Sequence, residues 1–141
     1  RIATGNFQKA EGNLALATEL MPDSPWISLL LGKIALENGD NNTALDLAQK
    51  ANKQDLYLLE VYKFMGQALQ ANGKVKESLD PLYTYTEYAT VEDAQAIALL
   101  ANAYAANDEY DKAIEIFDQA IEADKWQIEA YIKRGTIYSA Q

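Results

Sequence analysis

Four small residues recur at a nearly constant spacing along this chain. Gly32, Gly66, Ala101 and Gly135 are separated by 34, 35 and 34 residues, and each lies in a segment whose apolar residues follow helical spacing. A period in this range is typical of proteins built from stacked supersecondary units, each of which buries its apolar face against its neighbours. The spacing therefore predicts a repeat protein, and such proteins present an extended surface more often than an enclosed catalytic pocket.

The repeating unit is clearest near residues 94–123. Apolar and small residues follow one face of a helix over 94–107 and again over 110–123. Asn107 and Asp108 supply a short turn between the two segments. Two antiparallel helices joined in this way form a helical hairpin.

The same hairpin is repeated upstream. Gly39 and Gly73 occupy the turn, where glycine can close a helix in the left-handed conformation. Small residues mark two close helix crossings. They are Ala44, Ser78 and Ala113 at the first crossing, and Ala51 and Ala120 at the second, where Tyr85 interrupts the pattern. The phase predicts eight helices, at 6–20, 25–38, 41–53, 57–72, 75–89, 94–107, 110–123 and 127–140.

This pattern resembles an array of tetratricopeptide repeats. The best repeat matches the family's positions at Leu100, Ala101, Tyr104, Tyr110, Ala113, Phe117, Ala120 and Asp124. The resemblance implies an all-α fold, a right-handed superhelical solenoid of antiparallel hairpins. We expect one domain over 1–141, divided into a half repeat at 1–24, repeats at 25–58, 59–93 and 94–127, and a half repeat at 128–141. Because both ends cut through the pattern, we also expect the chain to be a fragment of a longer protein.

One junction departs from the pattern. The spacing there is 35 residues, and Pro81 lies well inside the helix predicted at 75–89. Since proline lacks an N–H and its ring clashes with the preceding turn, Pro81 should bend that helix or shift its start. We interpret this as an irregularity that the array tolerates. The alternative is a changed twist that exposes Tyr83, Tyr85 and Tyr88 as a binding patch.

Composition excludes several classes of function. Twelve Lys and Arg against 21 Asp and Glu give a net charge of −9, the wrong sign for binding a nucleic acid backbone. The absence of Cys and His excludes disulfides, zinc sites of the usual kinds and the common catalytic triads and dyads. We predict no enzyme activity, no cofactor, no metal and no direct membrane insertion by this fragment. The compartment is not indicated.

The resemblance also implies where a partner binds. In arrays of this kind the first helix of each hairpin lines a concave groove, and its small residue identifies the inward-facing positions. The candidate peptide-binding residues are Trp26, Leu29, Leu30, Lys33, Lys63, Phe64, Gln67, Leu99, Asn102 and Lys133. Further inward positions include Gln70, Ala98, Ile132 and Thr136.

Two interpretations of these residues stay open. The lysines can meet carboxylates of a peptide while Gln67 and Asn102 bind its backbone, or they can be solvated lysines that pair with Glu37, Glu60 and Glu129. The apolar residues suit a helix or an extended segment with apolar anchors, and equally suit a neighbouring helix of the parent chain. A tetratricopeptide subtype clamps the carboxylate of a chaperone tail, but of its motif only Lys63 matches, so we do not expect that ligand.

The sequence thus predicts a protein–protein interaction scaffold that binds a peptide or helix of another protein in its concave groove. The alternative is a structural spacer or self-association segment whose groove is covered by its own chain. The last predicted helix exposes Tyr131, Ile132, Ile137 and Tyr138, which make a homo-oligomer through the end helices possible.

Overall fold

A computed structural model describes residue 16 and residues 19–140 of the chain. Its contacts divide the chain into two compact units, Arg1–Leu58 and Leu59–Gln141. The boundary between them coincides with the predicted boundary between the first two full repeats. The division into half and full repeats within one domain stays a prediction. The predicted helix at 6–20 lies almost wholly outside the described residues.

Over residues 21–58, the first unit forms a helical hairpin of α1 (Pro25–Glu37) and α2 (Asn41–Gln54). Pro25 occupies the first turn of α1, where its missing N–H costs no helical hydrogen bond. In the turn, Gly39 adopts a φ of 80° and the Asp40 side chain accepts a hydrogen bond from the Thr43 N–H at 3.3 Å. These local signals are the reason that the predicted and observed helix ends agree within one residue.

Five α-helices are described in the second unit, between residues 59 and 140. They are α3 (Leu59–Ala71), α4 (Leu79–Tyr88), α5 (Ala94–Ala106), α6 (Tyr110–Ala123) and α7 (Ile128–Ala140), with a 3₁₀ turn at Lys76–Ser78. Helices α3 and α4 pack as one hairpin, α5 and α6 as another, and α7 packs on α6. All regular structure in the described residues is helical, which confirms the all-α prediction.

Small residues lie where the period places them. Ala44, Ser78 and Ala113 each have no exposed surface, and so do Ala51 and Ala120 at the second crossing. Close packing at these points leaves no room for a larger side chain. The core of the second unit forms around Leu82, Leu100, Phe117 and Ile137. The sequence predicted Ile137 to be exposed on the last helix, which is wrong, because Ile137 faces this core and is only 7% exposed.

The sequence predicted that Pro81 either bends its helix or shifts the start of that helix. The structure shows the second outcome. The segment begins with the 3₁₀ turn at Lys76–Ser78, and α4 begins at Leu79, so Pro81 lies in its first turn. A proline is tolerated there because the first turn has no helical partner for that N–H.

Candidate functional site

Two adjoining cavities open along α5 and α7 in the second unit. One of about 80 Å³ lies beside Leu99, and one of about 420 Å³ runs along α7 past Ile132. Asn102, Phe117 and Lys133 line both cavities, so the two form a continuous depression. We call it the α5/α7 groove. Its walls are Gln70, Gln95, Ala98, Leu99, Asn102, Ala105, Phe117, Gln127, Ala130, Ile132, Lys133, Thr136 and Ile137.

The repeat itself builds this groove. Leu99 and Asn102 are three residues apart and share a face of α5. One period later, the equivalent positions on α7 are Lys133 and Thr136. The structure therefore brings together three of the ten predicted peptide-binding residues, namely Leu99, Asn102 and Lys133.

Gln70 fixes the orientation of the Asn102 side-chain amide at the centre of the groove. Its Nε2 donates to Ser78 Oγ at 3.0 Å and to the carbonyl oxygen of Leu99 at 2.9 Å. Its Oε1 accepts a hydrogen bond from Asn102 Nδ2 at 2.9 Å. A side-chain amide held by such a network is preorganised. The sequence placed Gln70 on the groove face, and the structure adds that it supports Asn102.

Phe117 is one of four groove residues that the sequence did not assign to a site, the others being Gln127, Ala130 and Ile137. It belongs to the second helix of its hairpin and is fully buried at the base of the groove. Its position in the apolar repeat indicated a core residue, which is correct. Only the packing of α5, α6 and α7 shows that this core residue also borders the groove, as the core residues Ala130 and Ile137 do.

Lys63 lies in a different network. Its Nζ donates to Asp93 Oδ2 at 2.7 Å, and the hydroxyl of Tyr85 donates to the same oxygen at 3.0 Å. The other carboxylate oxygen of Asp93 accepts from the Ala96 N–H at 3.1 Å and caps α5. Lys63 thus pairs with Asp93, whereas the sequence offered either a bound peptide or Glu60 as its partner.

These contacts shift two pKa values. Burial alone would raise the pKa of the Asp93 carboxyl, but the hydrogen bonds from Lys63, Ala96 and Tyr85 outweigh it and hold that pKa below its usual range. Burial, and then the hydrogen bond to Asp93, raise the pKa of Tyr85 to about 12. At neutral pH the Asp93 side chain is therefore a carboxylate and the Tyr85 side chain a neutral phenol. The cluster of Lys63, Tyr85 and Asp93 joins α3, α4 and the start of α5.

The structure corrects two of the predicted groove residues. Leu29 and Phe64 are each only 1% exposed, so they are core residues with no surface left for a partner. The reason is geometric: both residues adjoin the predicted groove face along the helix, but a single residue step turns the side chain by about 100°.

The remaining predicted residues keep some exposure. Trp26, Leu30 and Lys33 follow one stripe of α1 in the first unit and are all exposed. Gln67 is partly exposed on α3. These positions remain predictions as peptide contacts.

The tyrosines of the irregular junction do not share one surface. Tyr83 and Tyr88 are exposed on α4, but Tyr85 is buried and directed at Asp93. A second depression of about 470 Å³ is lined by both Tyr83 and Tyr85, with Tyr104 and Lys112 among its other walls, but Tyr88 does not line it. The patch of three tyrosines considered from the sequence is therefore not formed.

Two kinds of site are absent from the described part of the chain. Between residues 19 and 140, no three Asp or Glu side chains gather as metal ligands. No helix in that range combines the length and the hydrophobicity needed to cross a bilayer.

Comparison with known proteins supports the resemblance to tetratricopeptide repeats. Residues 94–137 match a family model described as a tetratricopeptide repeat. No curated protein sequence matches the chain.

Three solved structures illustrate the fold that the chain shares. MamA 41-end from Desulfovibrio magneticus RS-1 is 22% identical with a TM-score of 0.83, covering 94% of this chain and 75% of that one. YrrB, described as a TPR protein with an unusual peptide-binding site, is 20% identical with a TM-score of 0.83, covering 96% and 71%. The first TPR of Spaghetti (RPAP3), bound to the HSP90 peptide SRMEEVD, is 15% identical with a TM-score of 0.74, covering 83% and 92%.

Proposed function

Because this chain carries a tetratricopeptide repeat and has the tetratricopeptide-repeat fold, we propose that it is a protein–protein interaction scaffold whose α5/α7 groove binds a segment of another protein. The observation that carries the proposal is the convergence of Leu99, Asn102 and Lys133 on one continuous groove. Similar structures support the class of ligand, since YrrB is described as having a peptide-binding site and RPAP3 was solved with a bound peptide.

The chemistry of the groove favours a ligand with an aliphatic and an acidic group. Leu99 and Ile132 offer apolar contacts, and the ammonium group of Lys133 favours a carboxylate. Asn102 is held by Gln70, so its remaining oxygen is positioned to accept a hydrogen bond from a peptide N–H. A short extended segment or one turn of a helix meets these requirements.

Selection from a random peptide library displayed on phage tests the proposal, because such a library samples ligands of every composition. We expect the selected peptides to share an aliphatic residue and a nearby Asp or Glu. Their affinity for the chain should fall by about tenfold with Lys133→Glu, because the charge that recognises the acidic group is reversed.

A matched control separates the groove from general charge effects. Lys125→Glu makes the same charge change at an exposed position outside the groove walls, and it should leave the affinity unchanged. A failure to select any peptide, or equal losses with both variants, would contradict binding in this groove. Selection that succeeds only after the chain is shortened would favour the alternative, a groove covered by the protein's own chain.

A further inference from the structure

The depression of about 470 Å³ in the second unit opens between α4 and α6, the second helices of its two hairpins. These two helices do not pack on each other, so the space between them is not closed. Leu100 of α5 and Ile116 of α6, two buried residues of the core, line the depression. Its volume lies in the range of about 300–1,000 Å³ that is usual for ligand pockets. We call it the junction depression.

The irregular junction of the repeat forms one side of the junction depression. The connector between α4 and α5, residues 89–93, has five residues, whereas the connectors at 55–58 and 124–127 have four. All five residues of the longer connector line the depression. The additional residue accounts for the spacing of 35 between Gly66 and Ala101. The departure from the period therefore marks one wall of a cavity.

The longer connector also lacks the hydrogen bond that closes the shorter ones. In the four-residue connectors, the carboxylates of Asp55 and Asp124 accept hydrogen bonds from the backbone N–H two residues later, at 2.9 and 3.0 Å. The equivalent residue in the longer connector is Ala89, whose side chain cannot accept a hydrogen bond. Val91, in the middle of this connector, is 77% exposed. The connector thus presents an apolar side chain to solvent at a cavity whose lining includes core residues.

Carboxylates dominate the charge around the junction depression. Its charged walls are Glu87, Glu92, Asp93 and Lys112. Asp93 is bonded to Lys63, and Lys112 lies 3.7 Å from Glu115, so both already have a partner of opposite charge. Glu87 and Glu92 are exposed, and neither carboxylate forms an ion pair within residues 19–140. Two negative charges therefore remain uncompensated beside an apolar cavity.

We propose that the junction depression binds a basic segment of another protein. An aliphatic side chain of the segment packs on Leu100 and Ile116, and a neighbouring Lys or Arg pairs with Glu87 or Glu92. The rings of Tyr83 and Tyr104 also line the depression, and aromatic faces attract cations. A second copy of this chain is a less suitable occupant, because it carries the same excess of acidic residues, with a net charge of −9.

The junction depression and the α5/α7 groove are separate surfaces of opposite charge. They use different faces of α5 and share no wall residue. Among the described walls of the α5/α7 groove, Lys133 is the only charged residue. The second unit can therefore bind two segments at once, and the proposal for the junction depression does not depend on the function assigned to the groove.

Selection from a phage-displayed peptide library that lacks Asp and Glu tests the proposal, because such a library excludes the acidic ligands expected for the α5/α7 groove. Selection in about 0.15 M NaCl limits charge effects to a range of about 8 Å. We expect the selected peptides to carry an aliphatic residue beside a Lys or Arg. In NMR titrations they should move the backbone amide signals of Val91, Leu100 and Ile116 most.

Charge reversal at the two uncompensated carboxylates should weaken binding of a selected peptide by about tenfold, in a variant that combines Glu87→Lys with Glu92→Lys. The matched control combines Asp46→Lys with Glu122→Lys. It makes the same change in net charge at exposed positions outside the junction depression, and it should leave the affinity unchanged. Circular dichroism checks that each variant keeps its helices.

A second variant tests the apolar part of the site without changing the charge. Gln119→Trp fills the junction depression from an exposed position and should also weaken binding by about tenfold, whereas Gln49→Trp on α2 should not. The proposal is overturned if no peptide is selected, if the two charge-reversal variants weaken binding equally, or if Gln119→Trp has no effect. It is also overturned if Lys133→Glu alters the affinity of these peptides, because they would then occupy the α5/α7 groove.

Discussion

At the scale of single residues, Asp93 has the largest set of polar contacts near the irregular junction. It caps α5 and accepts hydrogen bonds from Lys63 and Tyr85, so one carboxylate joins three helices. Asp40 caps α2 through Thr43 and has no lysine or tyrosine bonded to its carboxylate in the described structure. The two residues are a natural pair for measuring what the additional contacts contribute.

We predict that Asp93→Ala destabilises the chain more than Asp40→Ala does. Loss of a helix cap costs about 1 kcal/mol in either variant. Asp93→Ala also leaves the ammonium group of Lys63 half-buried without its carboxylate, which adds about 1–2 kcal/mol. Urea unfolding followed by circular dichroism measures both free energies. Equal losses would show that the contacts of Lys63 and Tyr85 contribute nothing measurable.

The same pair of variants tests how the free energy of unfolding depends on pH. The pKa of Asp93 is lower in the folded chain than its usual value, so its contribution to stability is present above the usual pKa, about 4. That contribution is lost as the pH falls through the lower, folded value. The free energy of unfolding should therefore decline less steeply on acidification in Asp93→Ala than in Asp40→Ala.

At the scale of secondary structure elements, the position of Pro81 within α4 decides whether replacing this proline stabilises or destabilises the chain. In the interior of a helix a proline costs about 3 kcal/mol, so its replacement by alanine would be stabilising there. Pro81 instead lies in the first turn of α4 and is buried. In that position the fixed φ of proline reduces the entropy of the unfolded chain at no cost to the helix.

Pro81→Ala should therefore destabilise the chain, by about 0.5–1 kcal/mol. Pro25→Ala is the matched control, because Pro25 also lies in a first turn, that of α1. This replacement should also destabilise the chain. Thermal unfolding of both variants measures the effect. A gain in stability with Pro81→Ala alone would mean that α4 begins earlier in solution and that Pro81 is an interior residue.

At the scale of the whole molecule, the excess of acidic residues governs the response to salt. A net charge of −9 on 141 residues produces self-repulsion in the folded chain, and added salt screens it. The melting temperature should rise when NaCl is increased from about 0.02 M to about 0.3 M.

Replacement of one acidic residue by a neutral one provides the control for the effect of salt on the melting temperature. Glu122 is exposed near the carboxyl end of α6, where a negative charge is also unfavourable to the helix dipole. Glu122→Gln should raise the melting temperature in low salt and have a smaller effect in high salt. If the melting temperature fell as salt was added, attraction between opposite charges would outweigh the net repulsion.

The sequence by itself determined the helices and the repeat. Apolar spacing, Pro25 at a helix start and Gly39 and Gly73 in the turns are local features. Between residues 25 and 140, the helices they predict agree with the structure to within two residues except at Pro81. The resemblance to tetratricopeptide repeats placed Leu99, Asn102 and Lys133 on the groove face, and the structure places them in one cavity, because equivalent positions of successive first helices lie side by side in stacked hairpins.

The tertiary structure alone decided which side chains are buried and which polar groups are bonded to each other. Lys63 pairs with a residue 30 positions away, and Gln70 supports Asn102 across 32 positions. Leu29 and Phe64 belong to the core, although spacing placed them beside the groove. Spacing along a helix fixes a side chain's direction only to within one face, whereas burial and hydrogen bonding depend on distances of a few ångströms between helices. Those distances are set by packing.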